Sequence, residues 1–348
     1  MSVISASVDH IPVTLCILVY NSGEQLVDVF ESILKQTHQN FKVKIYNNGS
    51  TDPLTNELCE EFTKDSRFSH IFRIKNVGPF RSLEQIIIGQ NEGYFNLLAD
   101  DMVIYPEYLA QCLRAHQSHP DLGIVYTGVD CKNEERRGVH FDQYSLMQES
   151  VFERLMSLAE NQTLGTALYG MMNSRFTNVI NDIWPHDNFM RLGDSMIFNK
   201  VLCVSKMQEV KMPLIFRDLT KSNLDYDARL EKIFYGGHYH VSLPFVRGVK
   251  KHYIWHLSED SPLTVKETHA LIERLIQRYQ QSIFREVQRA NQLLYHDAFT
   301  SWSGKTNKLN IPEVMLADLY SCASFINRMI SSEHTQKLLH TIQNLITR

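Results

Sequence analysis

The chain has 348 residues, 43% of them hydrophobic, which excludes global disorder and suits one large domain with an appendage or two domains. A formal net charge of −4 leaves no basic excess to release phosphate counterions, so nucleic-acid binding by bulk electrostatics and a polybasic membrane clamp are both disfavoured. Cys16, Cys59, Cys112, Cys131, Cys203 and Cys322 lie far apart with no CxxC pair, which fits reduced thiols and argues against a zinc ribbon or disulfide framework.

The first twenty residues, MSVISASVDHIPVTLCILVY, carry no basic segment ahead of their apolar part. Residues 13–20 therefore read as a first strand rather than a signal peptide, and their unbroken apolar run suits a strand covered on both faces. No stretch has the length of a transmembrane helix. Ser22 is placed to cap the next helix, with Gln25 three residues on as its capping-box partner. Leu26, Phe30, Ile33 and Leu34 then recur at helical spacing. FKVKIY (41–46) alternates as a strand with one wetter face does, and NNGSTDP (47–53) is dense turn chemistry. A polar helix near 54–64 and a short strand at 69–74 follow. PFRSLEQIIIGQNEG (79–93) reads as a helix ending near Gly93, YFNLLA (94–99) as a strand, 106–119 as a helix and GIVYTGV (123–129) as a strand.

Strands alternating with helices predict an α/β fold with a mostly parallel sheet, which binds ligands just past the carboxyl ends of its strands. YNSGE, NNGSTD and ADD sit at such ends. The polar stretch 131–150 reads as a mobile loop. Residues 151–258 mix short helices and strands, with RLGDSMIFNKVLCV (191–204) the clearest helix. After Pro262, Leu271, Ile272, Leu275, Ile276, Tyr279, Ile283, Phe284, Val287, Leu293 and Leu294 run at helical spacing, and more helix follows at 312–347.

Asp100 and Asp101 close an apolar run. Two carboxylates that close resist ionising together unless a cation lies between them and something else. Mg²⁺ or Mn²⁺ takes one or two carboxylates and completes its shell with water and substrate phosphate. The pair therefore fits half of a metal site that a diphosphate finishes. On spacing alone, a solvated acidic pair at a helix entry is the simpler account.

Its company changes the balance. ILVYNSGEQLVDVFESILKQTHQNFKVKIYNNGSTD, NVGPFRSLEQIIIGQNEGYFNLLADDMVIYPEYL and NFMRLGDSMIFNKV stand in an order and at spacings that resemble the family 2 glycosyltransferases, over roughly residues 11–205. The resemblance implies a GT-A nucleotide-sugar-binding fold over 1–260, with a nucleotide-binding half at 11–130 and an acceptor-binding half at 131–260. Residues 261–348 remain as a C-terminal helical region outside it.

The resemblance places Val19, Tyr20 and Asn21 where the family wraps its first strand end around the nucleotide, the aromatic stacking on the base. Tyr20 is equally at home as a strand-end residue at a wet surface. Asn48 falls where the family usually has an Asp that accepts a hydrogen bond from uracil. An amide oxygen still accepts and the NH₂ adds a donor, so a base other than uracil stays open; a plain turn would also account for NNGSTD. Arg81 matches a basic position near the diphosphate, where a guanidinium fork is well suited, although a solvated helix charge explains it almost as well. Ala99 and Asp100 fall in the acidic motif, with Asp100 at the ribose-holding carboxylate and Asp101 at the metal ligand. The family usually carries one more acid here, where Ala99 or Met102 stands, which implies a metal held mainly by Asp101 and the diphosphate.

Asp194 matches the catalytic base. The usual form is an acidic residue then Asp, with a basic residue six further on; here Gly193 precedes it and Lys200 takes the basic position. Asp194 also suits the N-cap of the following helix, and capping bonds would lower its pKa. Asp187 is a substitute base, and Trp184 a candidate to line the acceptor pocket. Many enzymes of this fold recruit a further metal-binding histidine from a later segment. His238 and His240 share one face if their segment is extended, and His240 is the candidate ligand. Arg247, Lys250 and Lys251 are candidates to reach donor phosphates.

The implied function is inverting, metal-dependent transfer from a nucleotide-diphosphate sugar, a UDP-sugar first, to a hydroxyl of a glycan or lipid-linked acceptor in surface polysaccharide or lipopolysaccharide synthesis. The implied setting is the cytoplasm, including the inner face of the plasma membrane. No nucleic-acid partner is expected. The apolar stripe after Pro262 admits docking on the catalytic domain, a homodimer or peripheral membrane contact, the first two being simpler. One rival is a catalytically inactive GT-A-like module that binds nucleotide or glycan, to which Asn48, Gly193 and the short acidic motif lend weight. Another is a sugar-nucleotide pyrophosphorylase, which would need a Gly-rich loop where YNSGEQ has one glycine.

Overall fold

A computed structural model describes residues 7–132, 135, 137–141, 145–161, 165–180, 183, 191–218, 220, 243–302 and 313–347. Among them, nine strands form one sheet: β1 (Val13–Val19), β2 (Phe41–Asn47), β3 (Phe68–Phe72), β4 (Tyr94–Ala99), β5 (Met102–Ile104), β6 (Leu122–Lys132), β7 (Arg137–His140), β8 (Met171–Asn173) and β9 (Lys206–Asp218). Their order is β3-β2-β1-β4-β8-β6-β9-β5, with β7 paired to β6. β3, β2, β1 and β4 run parallel, as do β6 and β9, while β8, β5 and β7 pair antiparallel.

β1 lies between β2 and β4, and Leu15, Ile17 and Val19 are fully buried. Its continuous apolar run is what a strand buried on both faces requires. β2 alternates in burial as FKVKIYN alternates in chemistry. The helix α1 (Gln25–Leu34) buries Leu26, Val29, Phe30 and Ile33 at i, i+3, i+4 and i+7. α2 (Pro53–Phe62) starts on Asp52, whose carboxylate accepts the Thr55 N–H at 2.8 Å, with Pro53 in the first turn. α3 (Pro79–Ile88) and α4 (Tyr108–Ser118) complete the alternation.

Several expectations need correction. Ser22 does not cap α1: the helix opens on Glu24 without a side-chain cap, and the Ser22 hydroxyl donates instead to Asp100. α3 ends at Ile88 with Gly89 as its cap; Gln90 donates to the Ile86 carbonyl at 2.9 Å, and Gly93, at φ 68°, turns the chain into β4. The stretch 131–150 is not simply a loop. β6 runs on to Lys132, and β7 folds back on it where the Arg137 Nε donates to Asp130 Oδ1 at 3.0 Å.

The chain divides into two units. The first is Met1–Arg154, Gln162–Ile183 and Ile197–Asn223, and holds the sheet; the second is Leu155–Asn161, Trp184–Met196 and Leu224–Arg348. The helix α6 (Gly193–Val204) begins in the second and runs into the first, as does α5 (Val151–Glu160) in the opposite sense. In the second unit α7 (Pro244–His256) packs on α8 (Val265–Trp302), and α9 (Glu313–Met329) on α10 (Glu333–Ile346). Leu271, Ile272, Leu275, Ile276, Ile283, Val287 and Leu294 of the α8 stripe are buried. Among the described residues no helix is long and apolar enough to cross a membrane.

Candidate functional site

The parallel register aligns three strand ends: Val19 lies against Asn47, and Leu18 against Ala99. The loops after β1, β2 and β4 therefore leave the sheet at one edge, the place such sheets offer to ligands. Val19, Tyr20, Asn21, Asn48, Ala99, Asp100 and Asp101 come together there.

Side chains hold these loops. Asn21 sits in the left-handed region at φ 50°, which a short amide side chain tolerates better than most. Its N–H donates to Ser50 Oγ at 3.0 Å, and its Oδ1 accepts the N–H groups of Thr51 and Asp52 at 2.8 and 3.0 Å. The Asn48 N–H donates to the Val19 carbonyl at 2.8 Å. Gly49 is at φ 76°, and a Cβ there would lie 2.6 Å from the Asn76 amide nitrogen, so only glycine lets these two backbones meet.

Asn48 is buried and its amide is fully engaged. Nδ2 donates to Asn76 Oδ1 at 2.9 Å and Gly78 O at 3.4 Å, while Oδ1 accepts from Arg73 Nη1 at 3.3 Å and the Val77 N–H at 3.2 Å. A base contact through this side chain would have to displace one of the four. Tyr20 is 43% exposed, leaving its ring open to a stacking partner. Arg81 lies in the first turn of α3 with its side chain partly exposed.

Asp100 Oδ2 accepts from the Ser22 hydroxyl and, at 3.4 Å, from the Tyr20 N–H. Burial pushes its pKa up and the neighbouring Asp101 charge adds to that; the Ser22 and Tyr20 bonds work the other way. Asp101 has a different partner. Arg217 Nη2 of β9 donates to Asp101 Oδ2 at 2.6 Å, because β5 and β9 pair Met102 with Arg217. The other oxygen, Asp101 Oδ1, is buried and has no hydrogen-bond partner among the described residues. An orphaned carboxylate oxygen is a fitting ligand for Mg²⁺ or Mn²⁺. No group of three His, Cys, Asp or Glu side chains suited to a metal is gathered among the described residues. Trp184, Asp187, His238 and His240 lie outside the described residues.

Asp194 belongs to the second unit. It is the second residue of α6 rather than its N-cap, and its Oδ1 accepts the Ser195 N–H at 2.8 Å. Burial raises its pKa and outweighs that bond and the attraction of Arg278, so the lowering anticipated from capping does not occur. The preceding loop is clamped onto α7. The Arg191 N–H donates to the Pro244 carbonyl at 3.0 Å, Leu192 takes φ 70°, and a Cβ on Gly248 would fall 2.2 Å from the Arg191 carbonyl oxygen. The Arg191 guanidinium lies 4.9 Å from the Phe245 ring centroid, and the Phe245 N–H donates to both carboxylate oxygens of Glu286 at 3.1 Å. Burial pushes Glu286 up to about 8, and holds His252 and His256 down to about 4 and about 3. Arg247 Nε donates to Asp318 at 2.6 Å, and Lys250 to Ser321 at 2.5 Å, so both serve the helical packing here.

The sequence from 14 to 181 matches the family described as Glycosyl transferase family 2. Residues 14–181 belong to glycosyltransferase family 2. Glycosyltransferase GlyG of Streptococcus pneumoniae is 26% identical over 113 residues, covering 32% of this chain and 37% of that protein. An uncharacterized glycosyltransferase of Rickettsia felis is 35% identical over 95 residues, covering 27% of this chain and 15% of the relative. The chain thus aligns with well under half the length of either relative. In fold it is similar to residues 1–349 of S. aureus TarS in complex with UDP-GlcNAc, at a TM-score of 0.60, 12% identity, and coverage of 97% of this chain and 90% of that one. It is also similar to the mannosyltransferase PcManGT of Pyrobaculum calidifontis in complex with GDP-Man and Mn²⁺, at a TM-score of 0.51, 11% identity, and coverage of 96% and 86%. The fold is of the GT-A type.

Sequence reasoning on this family 2 domain missed Ser22, Arg73 and Arg217. The only signal for Ser22 was its place in the first strand-end loop. Arg217 is 116 residues from Asp101 and stands in no motif.

Proposed function

We propose that the chain transfers a sugar, with inversion, from a nucleotide-diphosphate sugar to a hydroxyl of a glycan or lipid-linked acceptor. The observation that carries this is the cluster at the aligned strand ends: exposed Tyr20, Asp100 held by Ser22 and the Tyr20 N–H, and Asp101 with one orphaned oxygen. Uridine is the base of choice, supported by the UDP-GlcNAc bound to the TarS fragment. In this reading Tyr20 stacks on the base and Asp100 accepts from the ribose. Val19, Asn21 and Ala99 shape the cradle, and Arg81 neutralises diphosphate charge. Asp101 holds Mn²⁺ or Mg²⁺ through Oδ1. The Mn²⁺ complex of PcManGT supports a metal of this kind, which when bound supplies Lewis-acid stabilisation to the departing diphosphate.

Asp194 takes the acceptor proton as the anomeric bond forms. A base works best near the operating pH, and the burial that raises Asp194 moves it in that direction. Residues 1–260 carry the transferase and 261–348 support it. A role in surface polysaccharide or lipopolysaccharide synthesis, on the cytoplasmic side of the membrane, completes the proposal.

The test compares wild type with Asp194→Asn. Wild type with Mn²⁺ releases some free sugar from UDP-sugar donors, while the variant loses transfer by about 10³-fold and keeps UDP affinity by calorimetry. UDP binding with no donor turnover in wild type would make the chain a binding module instead. Full activity in the variant would remove Asp194 from the chemistry.

A further inference from the structure

We propose that Arg217 is a built-in counter-ion for Asp101 that competes with a divalent cation. Metal then binds well only together with a nucleoside diphosphate, which takes over the guanidinium. The inference rests on reading Asp101 as the metal ligand.

Two observations carry it. The first is geometric. Antiparallel pairing of Met102 with Arg217 fixes the arginine beside Asp101, and the 2.6 Å contact is a charge-assisted bond between side chains only 24% and 30% exposed. A cation approaching Asp101 therefore meets a positive charge already in place. The second is what the pair leaves over. Asp101 Oδ1 and Arg217 Nε are both buried without hydrogen-bond partners among the described residues. Buried polar groups are rarely left so, and each one costs stability.

The two leftover atoms have opposite appetites. Oδ1 suits a hard cation, and Nε–H suits an anionic oxygen. A metal with a diphosphate supplies both at once, whereas a metal alone at Oδ1 meets the guanidinium charge held on Oδ2 and leaves Nε–H without a partner. Metal and nucleotide thereby raise each other's affinity, and linkage requires the effect to be reciprocal. Arg217 is the element that sets its size.

Direct Mn²⁺ titration, read by the paramagnetic resonance signal of the free ion, tests this without recourse to activity. Without nucleotide, Arg217→Gln binds Mn²⁺ about tenfold tighter than wild type. UDP then raises Mn²⁺ affinity in wild type by a larger factor than in the variant. Arg217→Met, which keeps the unbranched stem for packing, shows the same shift and serves if the glutamine variant does not fold. Asp101→Asn, measured with UDP present, loses the site in either background. If both Arg217 variants bind Mn²⁺ no tighter than wild type while Asp101→Asn still loses it, the competition is refuted and the metal ligand stands. If Asp101→Asn binds Mn²⁺ as wild type does, the reading beneath it fails instead.

Discussion

Around Asp100 and Asn48 the chain works with side chains: serine, asparagine and arginine groups hydrogen-bond across loops that short parallel strands deliver to one edge. Around Asp194 it works with backbone and with titratable side chains that burial keeps neutral. There a loop carbonyl presses on Gly248, Leu192 sits in the left-handed region, and Glu286, His252 and His256 are buried. The first arrangement divides its stability among many modest bonds, so single losses should be tolerated. The second concentrates it in a few contacts that admit no slack. Substitutions can test that contrast directly.

The largest effect is expected at Gly248. An alanine Cβ would lie 2.2 Å from the Arg191 carbonyl oxygen, a backbone atom that cannot swing aside as a side-chain tip can. The α7 backbone and the loop must move apart, at a cost of about 3 kcal/mol in the second unit, measurable by denaturant unfolding. Because that loop leads into Asp194, a Gly248→Ala protein that folds should lose turnover more than UDP affinity. If it unfolds as wild type does and turns over normally, the clamp is softer than the contact implies.

Next comes pH. Glu286 stands at about 8 in the folded chain against an ordinary value of 4.5. Between those values the folded state holds a proton that the unfolded state has released, so stability is greatest below 4.5 and falls as pH rises towards 8. His252 and His256 act oppositely. Their folded values, about 4 and about 3, lie below the ordinary 6.5, so their contribution grows as pH rises and is complete above 6.5. The window from 6.5 to 8 therefore separates the glutamate from the two histidines. Wild type should lose up to about 1.4 kcal/mol per pH unit there. Glu286→Gln, which keeps an acceptor for the Phe245 N–H, should flatten the slope. An equal slope in both proteins would assign it to other groups.

This asymmetry also decides what could be read from sequence. The strands β1, β2 and β4 and the turn NNGSTD declare themselves through local pattern, because apolar runs and turn residues act over a few positions. The Ser22–Asp100 bond joins residues 78 apart and the Arg217–Asp101 pair residues 116 apart, so each needs the sheet register before it exists. β5 has three residues, too few to show a period. Gly248 reads in sequence as a helix-weakening residue, and only the Arg191 carbonyl against it explains its presence. Asp194 was legible as an acid before a helix, but the sign of its pKa shift was not, since burial comes from packing that no short window encodes.

The smallest effect sharpens the first half of the contrast. Asn48→Ala deletes both ends of an amide that ties Arg73, Val77, Asn76 and Gly78 to the second strand-end loop. Arg73 keeps Ser82 at 2.6 Å and Gln85 at 2.9 Å, and Asn76 keeps the Gly78 N–H at 2.7 Å, so the loop retains other anchors. The Val77 N–H loses the partner shown here. A fully buried donor left without a bond costs about 1–3 kcal/mol, and Val77 is only half-buried, so water reaching its N–H brings the loss towards the lower end. Thermal unfolding should therefore show a loss near 1 kcal/mol, well below that of Gly248→Ala. If UDP affinity falls much further than stability does, Asn48 touches the base as well as the loop. If the two fall together, its amide serves the loop alone, and selection of the base rests with Tyr20 and its neighbours.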